Sequence, residues 1–352
     1  MKNNDNKRSP DNTGLQAFNK ADNALNQILE KVNSNDESQK IAGKLLKVKT
    51  ANEWNWESVT RPDPKSLWRS LWYEGEICCL FADSNLGKSI LAVQILCEIA
   101  KDMKVIYFDF ELSGKQFQLR CTDNNGRMYQ FPQNFLRAEI DPNAIDFGNF
   151  EDAIIDEIEN AVQEFGAKVV VIDNITYLCS AAEKGDVAGR LMIRLRQLSQ
   201  KHKLSMLVVA HTPKRPLSSP ITQNDLAGSK KLFNFFGSAV AIGQSAKDSG
   251  QRYIKQIKTR QGAIEYGADN VIVCEIVKDD CLTKFKVVGQ ATEQEHLSTK
   301  SDKDKEVIFE NVKAEYDKGK SVREIADFLG ISRSSVGRII KKIKRIKIDA
   351  KL

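Results

Sequence analysis

Eight residues that follow the apolar run EICCLF read Ala82-Asp83-Ser84-Asn85-Leu86-Gly87-Lys88-Ser89. They fit the pattern G-x-x-x-x-G-K-[ST], except that Ala82 replaces the first glycine. In such a loop, backbone N–H groups and the N-terminus of the next helix surround phosphate groups. Lys88 would reach the β- and γ-phosphates, and the Ser89 hydroxyl would bind Mg²⁺. We therefore predict that all eight residues form a nucleotide-binding loop between a strand and a helix. The alternative is a chance Gly-Lys-Ser in an ordinary turn.

Short apolar runs alternate with helical stretches around this loop. The runs are EICCLFA, KVIYFDFE, KVVVIDN, SMLVVAH and SAVAIGQ. Their near-continuous Val, Ile and Leu content is typical of strands that are buried on both faces of a parallel sheet. The later segments RYIKQIKTR, NVIVCEIVK and TKFKVVG alternate more, so we expect them to extend one edge of the sheet, partly antiparallel. The pattern predicts an α/β fold, with a mostly parallel sheet flanked by helices.

Polar side chains end three of these predicted strands. Asp173 ends VVVID, where a carboxylate would hold the Mg²⁺ shell. VIYFDFE carries Asp109 and Glu111, which alternation would place on one face of the strand. Glu111 is the better candidate for activating water, because it lies nearer the carboxyl end of the strand, and Asp109 is better explained as a structural acid. His211 ends SMLVVAH as either a sensor of the γ-phosphate or a structural histidine.

These motifs together resemble the RecA-type core, and are most similar to the DnaB and plasmid RepA hexameric helicases and their KaiC and RadA relatives. The segment Lys258-Thr259-Arg260-Gln261-Gly262 resembles the K-x-R-x-G of those rings. The resemblance implies ATP and Mg²⁺ as ligands and a homo-oligomer, a hexamer in the helicases. It also implies that Lys258 and Arg260 reach the γ-phosphate bound by the neighbouring subunit.

The segment PKRPLSSPITQND follows His211 and is too rich in Pro and Ser for regular structure. In RecA-type rings the loop at this place faces the central channel and contacts single-stranded DNA. The resemblance therefore implies non-specific phosphate contacts from the basic residues of this region, which are Lys214, Arg215, Lys230 and Lys231. An ordinary solvated loop is the alternative.

The last part of the chain predicts a helix followed by a helix-turn-helix. Ser321 is placed to cap one helix, Gly330 to form the turn, and Ser332 to cap the next helix. The stretch SVREIADFLGISRSSV resembles the helix-turn-helix of many bacterial regulators and recombinases. That layout places a recognition helix in the major groove of duplex DNA, with contacts from Arg333, Ser334, Ser335, Arg338, Lys341 and Lys342. A protein-binding helical bundle is the alternative.

Charge is concentrated in the same part of the chain. The 352 residues have a formal net charge of +6, and residues 300–352, with 15 basic and 9 acidic side chains, account for all of it. A basic module attached to a neutral body indicates an anionic partner. There is no apolar run of 18 residues and no apolar N-terminal stretch, so we expect a cytoplasmic protein without a membrane partner. The seven cysteines form no C-x-x-C pair.

The expected organisation has five parts: a disordered segment at 1–13, an amphipathic helix and linker at 14–45, a RecA-like ATPase domain at 46–295, a linker at 296–303 and a helix-turn-helix domain at 304–352. The expected function is a DNA-associated, helicase-like ATPase that acts in replication or mobilisation of a bacterial genetic element. Two alternatives stay open. One is a DNA-binding regulator that uses ATP as a switch without unwinding, and the other is a loader that recruits partner proteins.

Overall fold

A computed structural model describes residues 46–141, 143, 150–178, 185–213, 215–226, 230–298 and 302–349. The segments expected at 1–13 and 14–45 lie outside these residues. The chain divides into two units, residues 1–63 and 64–352, and the expected domain boundaries stay predictions. In the first unit, helix α1 (Ala51–Val59) begins with a capping box, in which Thr50 and Glu53 bond each other's backbone N–H groups.

The second unit is built on a nine-stranded sheet, counted over the described residues. In spatial order its strands are β11 (Leu282–Ala291), β10 (Val271–Asp279), β9 (Gln251–Lys258), β8 (Ser238–Gln244), β3 (Ile77–Ala82), β7 (Ser205–His211), β6 (Val169–Asp173), β4 (Val105–Asp109) and β5 (Phe135–Ala138). Two short strands, β1 (Ser66–Trp68) and β2 (Trp72–Tyr73), form a separate antiparallel pair. The strand that carries the nucleotide-binding loop therefore lies at the centre of the large sheet.

The predicted α/β fold is confirmed. The six strands from β8 to β5 pair in parallel, and β9, β10 and β11 extend the sheet antiparallel at one edge. Strands β3, β4 and β6 are buried at every residue, as their continuous apolar runs predicted. The sequence did not predict β5, because its four residues FLRA are all only half-buried and one of them is an arginine.

Helices cover both faces of this sheet. They are α2 (Lys88–Ile99), α3 (Gly114–Arg120), α4 (Phe150–Phe165), α5 (Ile175–Leu178), α6 (Gly185–His202), α7 (Lys230–Phe235) and α8 (Glu293–His296). One apolar layer joins α2 to the sheet, for example Leu91 with Leu80, and the other joins α4 and α6 to the opposite face. Among the described residues, no helix is both long enough and apolar enough to cross a membrane.

The C-terminal helices have an apolar cluster of their own. They are α9 (Asp302–Asp317), α10 (Val322–Leu329) and α11 (Arg333–Asp349), and they pack around Val312, Ile325, Val336, Ile340 and Ile343. The predicted caps are confirmed: the Ser321 side chain accepts from the Glu324 N–H, and Gly330 has a left-handed φ of +64°. Ser332 accepts from the Ser335 N–H at the start of α11. Local capping chemistry therefore sets the ends of α10 and the start of α11.

The first residues of the segment expected as a linker, 296–303, are well packed. His296 and Leu297 are buried, and the carbonyl of His296 accepts a hydrogen bond from the Ala246 N–H at 2.8 Å. The Ser298 N–H in turn donates to the Leu217 carbonyl at 3.1 Å. Residues 296–298 are thus part of the packed unit, because their backbone groups pair with the ends of neighbouring segments.

Candidate active site

The nucleotide-binding loop has the predicted strand–loop–helix geometry. Ala82 is the last residue of β3, where strand backbone suits alanine, so the missing glycine leaves the fold of the loop intact. Asn85 and Gly87 have left-handed φ angles of +63° and +92°. A Cβ at Gly87 would also lie 2.8 Å from Ile276 Cδ1, so both the backbone angle and the packing favour glycine there.

Lys88 is buried at the first turn of α2. Its Nζ donates to the carbonyl oxygens of Ala82 at 3.1 Å and Asp83 at 3.0 Å. Burial lowers the pKa of Lys88, and the negative charges of Asp173, Glu111 and Asp83 oppose that shift. The ammonium thus lies in a largely dehydrated position, where the phosphates of a ligand could replace its two carbonyl contacts.

Asp173 is fully buried beside the loop. Its Oδ2 accepts a hydrogen bond from the Tyr107 hydroxyl at 2.6 Å, while its Oδ1 is buried and has no hydrogen-bond partner among the described residues. Burial raises the pKa of Asp173 to about 6, although the Tyr107 hydrogen bond and the neighbouring Ser89 hydroxyl act in the opposite direction. An unpaired carboxylate oxygen next to a serine hydroxyl supplies the hard oxygen ligands that Mg²⁺ prefers. The residues present therefore fit the predicted metal.

Glu111, Asn174 and His211 form one hydrogen-bonded chain. Asn174 Nδ2 lies 3.0 Å from Glu111 Oε2 and 3.1 Å from His211 Nε2. The Tyr177 N–H donates to Asn174 Oδ1 at 3.1 Å, which fixes the orientation of the amide. Nδ2 is therefore the donor to both neighbours. The sequence analysis missed Asn174, although it directly follows Asp173 in VVVIDN.

His211 is half-buried at the end of β7. Burial lowers its pKa, and the positive charge of Lys88 lowers it further, so the imidazole is neutral at pH 7. With Nε2 accepting from Asn174, the ring proton lies on Nδ1. The structure thus places His211 near the lysine that would bind phosphate.

Asp109 and Glu111 do not share a face of β4, contrary to the prediction. The strand ends at Asp109, so the alternation of side chains stops before Glu111. The Asp109 carboxylate pairs with Arg137 on β5 at 2.9 Å, whereas Glu111 contacts Asn174 beyond the end of β6. This separation agrees with the interpretation of Asp109 as a structural acid.

Lys258 and Arg260 lie near the amino ends of the parallel strands, whereas the nucleotide-binding loop lies at their carboxyl ends. Lys258 pairs with Ala239 at the start of β8, whereas the loop leaves β3 at Ala82, which pairs with Ile242. Lys258 Nζ donates to the Phe233 carbonyl at 3.0 Å. The exposed Arg260 donates to the Asn234 carbonyl at 3.1 Å. Neither cation is placed to reach the loop of its own chain.

The position of Arg215 does not fit the predicted contact with DNA. Its side chain is only 9% exposed and donates to the Ser219 carbonyl, and its Nε lies 4.0 Å from Asp225 Oδ1. Arg215 instead lines a cavity of about 60 Å³ that also touches Asp83 and Thr212. A loop composition predicts irregular backbone but not the direction of one side chain. The predicted contact of Arg215 with DNA stays a prediction.

The other basic residues predicted in this region are only partly described. Lys214 lies outside the described residues, and Lys230 and Lys231 are known only as the first two residues of α7. Their predicted contacts with single-stranded DNA stay predictions.

The basic residues of α11 that the sequence predicts to contact DNA are exposed. They are Arg333, Arg338, Lys341 and Lys342. Ser334 and Ser335 are bonded to Ser332 at the cap, with Oγ–Oγ distances of 2.9 Å. Two further residues of the predicted DNA-contact set, Arg338 and Lys342, contact the protein: Arg338 Nε lies 3.4 Å from the Ser334 carbonyl, and Lys342 Nζ lies 5.4 Å from the ring centre of Phe309. All four cations are therefore open to direct contact with a ligand, and their predicted contacts with DNA stay predictions.

Comparison with known proteins agrees with this geometry. The AAA_25 family model, described as an AAA domain, matches residues 44–216. That range includes the nucleotide-binding loop, Glu111, Asp173 and His211, and it ends before Lys258 and the C-terminal helices. No curated protein matches the chain. The family match and the fold together support a P-loop ATPase domain of the RecA-like class in residues 44–216, and with it nucleotide binding.

Proposed function

We propose that the protein hydrolyses ATP and works on DNA, as a helicase-like ATPase in the replication or mobilisation of a bacterial genetic element. The proposal rests on one observation: four polar side chains lie together at the carboxyl ends of the parallel strands. Lys88 and Asp173 lie beside the loop, and Glu111 is linked to His211 through Asn174. An open α/β sheet binds its ligands at this end, the carboxyl end of its parallel strands.

Each side chain of the site has its own role in the proposed hydrolysis of ATP. Lys88 binds the β- and γ-phosphates, and Ser89 and Asp173 hold the metal. Mg²⁺ bound there neutralises charge on the phosphate oxygens. Glu111 orients a water molecule for in-line attack and accepts its proton, while Asn174 keeps the carboxylate in a fixed orientation. The neutral His211 is near enough to Lys88 to respond to the γ-phosphate.

A ring of identical subunits would complete this site. Arg260 and Lys258 lie near the amino ends of the parallel strands, at the end of the sheet away from their own loop. This position supports their action on the nucleotide of a neighbouring subunit. Arg260 is exposed, as a residue that contacts a neighbour must be in an isolated chain. A homo-oligomer, with the hexamer as the first arrangement to test, follows from the proposal.

Glu111→Gln is expected to retain nucleotide binding and to lose turnover. The amide keeps the size of the side chain but cannot accept a proton from water, and a general base contributes about 10²–10⁴-fold to a rate. Phosphate release and the binding of a fluorescent nucleotide would be measured on the same preparation. Glu98→Gln, an exposed glutamate on α2, is the matched control. Equal turnover of Glu111→Gln and the wild type would exclude Glu111 from the chemistry.

The C-terminal helices provide the proposed contact with duplex DNA. Helix α11 carries seven basic residues and no acid from 333 to 348, and its start is capped and exposed. A recognition helix requires these features at the end that enters the groove. Contact between the ATPase core and single-stranded DNA is a separate part of the proposal, which rests on the segment from Lys214 to Lys231.

Duplex binding is expected to weaken steeply as salt concentration rises, because each neutralised phosphate releases counterions. In the full chain, Arg333→Ala should reduce discrimination between DNA sequences. Lys341→Ala should weaken binding to all sequences and reduce the salt slope by about one unit. Lys313→Ala, an exposed lysine on α9 that pairs with Glu310, is the control and should be silent. Binding that none of these changes affects would favour a protein-binding role for the helices.

Strand displacement separates the proposed helicase from its alternatives. A ring ATPase of this type should displace a strand from a forked duplex when ATP is present. A regulator would show a footprint confined to one sequence and no displacement. A loader would show neither, and would retain a partner protein in an ATP-dependent manner.

A further inference from the structure

Arg137, on the edge strand β5, contacts four neighbouring residues at once. Its Nε and Nη2 lie 3.0 Å and 2.9 Å from Asp109 Oδ2, and Nη2 also donates to the Leu112 carbonyl at 2.8 Å. Its Nη1 lies 3.0 Å from Glu139 Oε2, and its guanidinium carbon is 4.7 Å from the ring centre of Phe117 on α3. The side chain is 17% exposed, so these contacts hold it away from solvent.

Asp109 and Arg137 together bind the backbone on both sides of Glu111. Asp109 Oδ1 accepts from the N–H groups of Glu111 at 3.3 Å and Leu112 at 2.9 Å. Arg137 donates to the carbonyl of the same Leu112. No residue of a regular helix or strand lies between Asp109 and Ser113. The Phe110 N–H donates to the Asp173 carbonyl at 2.7 Å, and the bonds from Asp109 and Arg137 hold the part of this connection that follows Phe110.

We propose that Arg137 is a positioning residue, which acts through Asp109 and Leu112 to hold the Glu111 carboxylate where it can orient water. The inference rests on the proposed ATP hydrolysis by Glu111. It assigns a role to a residue that touches neither nucleotide nor metal. Catalytic effects of this kind arise because a small displacement of a reacting group lowers the rate strongly.

A bound Arg–Asp pair could also serve stability alone, so the variants must separate the two roles. Arg137→Ala would leave the Asp109 carboxylate buried without its positively charged partner, and such a variant could fail to fold. Arg137→Lys keeps the positive charge beside Asp109. One ammonium cannot reproduce the planar set of bonds to Asp109, Leu112 and Glu139.

Arg137→Lys is expected to lower kcat by about 10- to 100-fold and to leave nucleotide affinity unchanged. The pair Asp109→Asn with Arg137→Gln removes both charges, leaves no buried charge unpaired, and should show the same loss of kcat. Glu139→Gln is the control: Glu139 is 54% exposed, so its loss should leave kcat unchanged. Thermal unfolding of each variant confirms that it is folded.

The decisive comparison repeats Arg137→Lys in the Glu111→Gln background, with phosphate release as the readout. If Arg137 acts through Glu111, the second substitution should cause no further loss of the residual turnover. An equal loss in both backgrounds, or wild-type kcat in Arg137→Lys and in the neutral pair, would overturn the inference. A wild-type protein without turnover, or an active Glu111→Gln, would instead reject the proposed function itself.

Discussion

Lys88→Ala is expected to abolish measurable nucleotide binding. Lys88 is the cation that the loop places among its own carbonyl oxygens, within reach of β- and γ-phosphates. Removal of one partner of a buried charged pair costs about 2–5 kcal/mol, which is roughly 30-fold to several thousand-fold in Kd. Titration with a fluorescent ATP analogue, with and without Mg²⁺, measures the effect directly.

Lys101→Ala is the matched control for this variant, because Lys101 is an exposed lysine just beyond the other end of α2. It should bind nucleotide as the wild type does. Undiminished binding by a folded Lys88→Ala protein would contradict the assignment of residues 82–89 as the phosphate site.

Arg260→Ala is expected to keep nucleotide affinity and to lose turnover by about 10³–10⁵-fold, the range found for an arginine that stabilises a phosphoryl transition state in trans. The alternative is a surface arginine held in an ion pair within its own chain. Within the described residues Arg260 donates to the Asn234 carbonyl at 3.1 Å. Steady-state phosphate release at saturating ATP measures the loss.

Mixing two inactive variants tests whether the effect crosses between subunits. Lys88→Ala lacks its own site but still carries Arg260, so mixed assemblies should regain part of the activity of Arg260→Ala. The same mixture made with a Lys88→Ala, Arg260→Ala double variant is the control and should stay inactive. If Arg260→Ala were fully active, the proposal of a shared site would have to be abandoned.

The parts of the fold that sequence predicted are those with a local signal. Buried parallel strands can be recognised in the sequence as continuous apolar runs. The loop from Ala82 to Ser89 can be recognised because its motif is a single continuous segment. The capping serines Ser321 and Ser332 act on backbone groups three residues away, so their pattern is also local. Strand β5 lacks such a signal, since pairing with β4 rather than its own composition makes it a strand.

The residues that sequence missed act through contacts between distant segments. Arg137 meets Asp109 across 28 positions, and Asn174 meets Glu111 across 63. Which side chains meet there depends on strand order, and the sequence does not specify it. Arg215 shows the opposite error, because a basic residue in a polar loop was expected in solvent and is instead largely buried.

Release of inorganic phosphate from ATP by the purified full-length protein tests the central claim most directly. The assay is run with and without Mg²⁺, and with and without single-stranded DNA, beside a mass measurement of the assembly. We predict Mg²⁺-dependent release that single-stranded DNA increases, from an assembly of several subunits. A folded protein that binds ATP in the presence of Mg²⁺ but releases no phosphate, with or without DNA, would contradict the account.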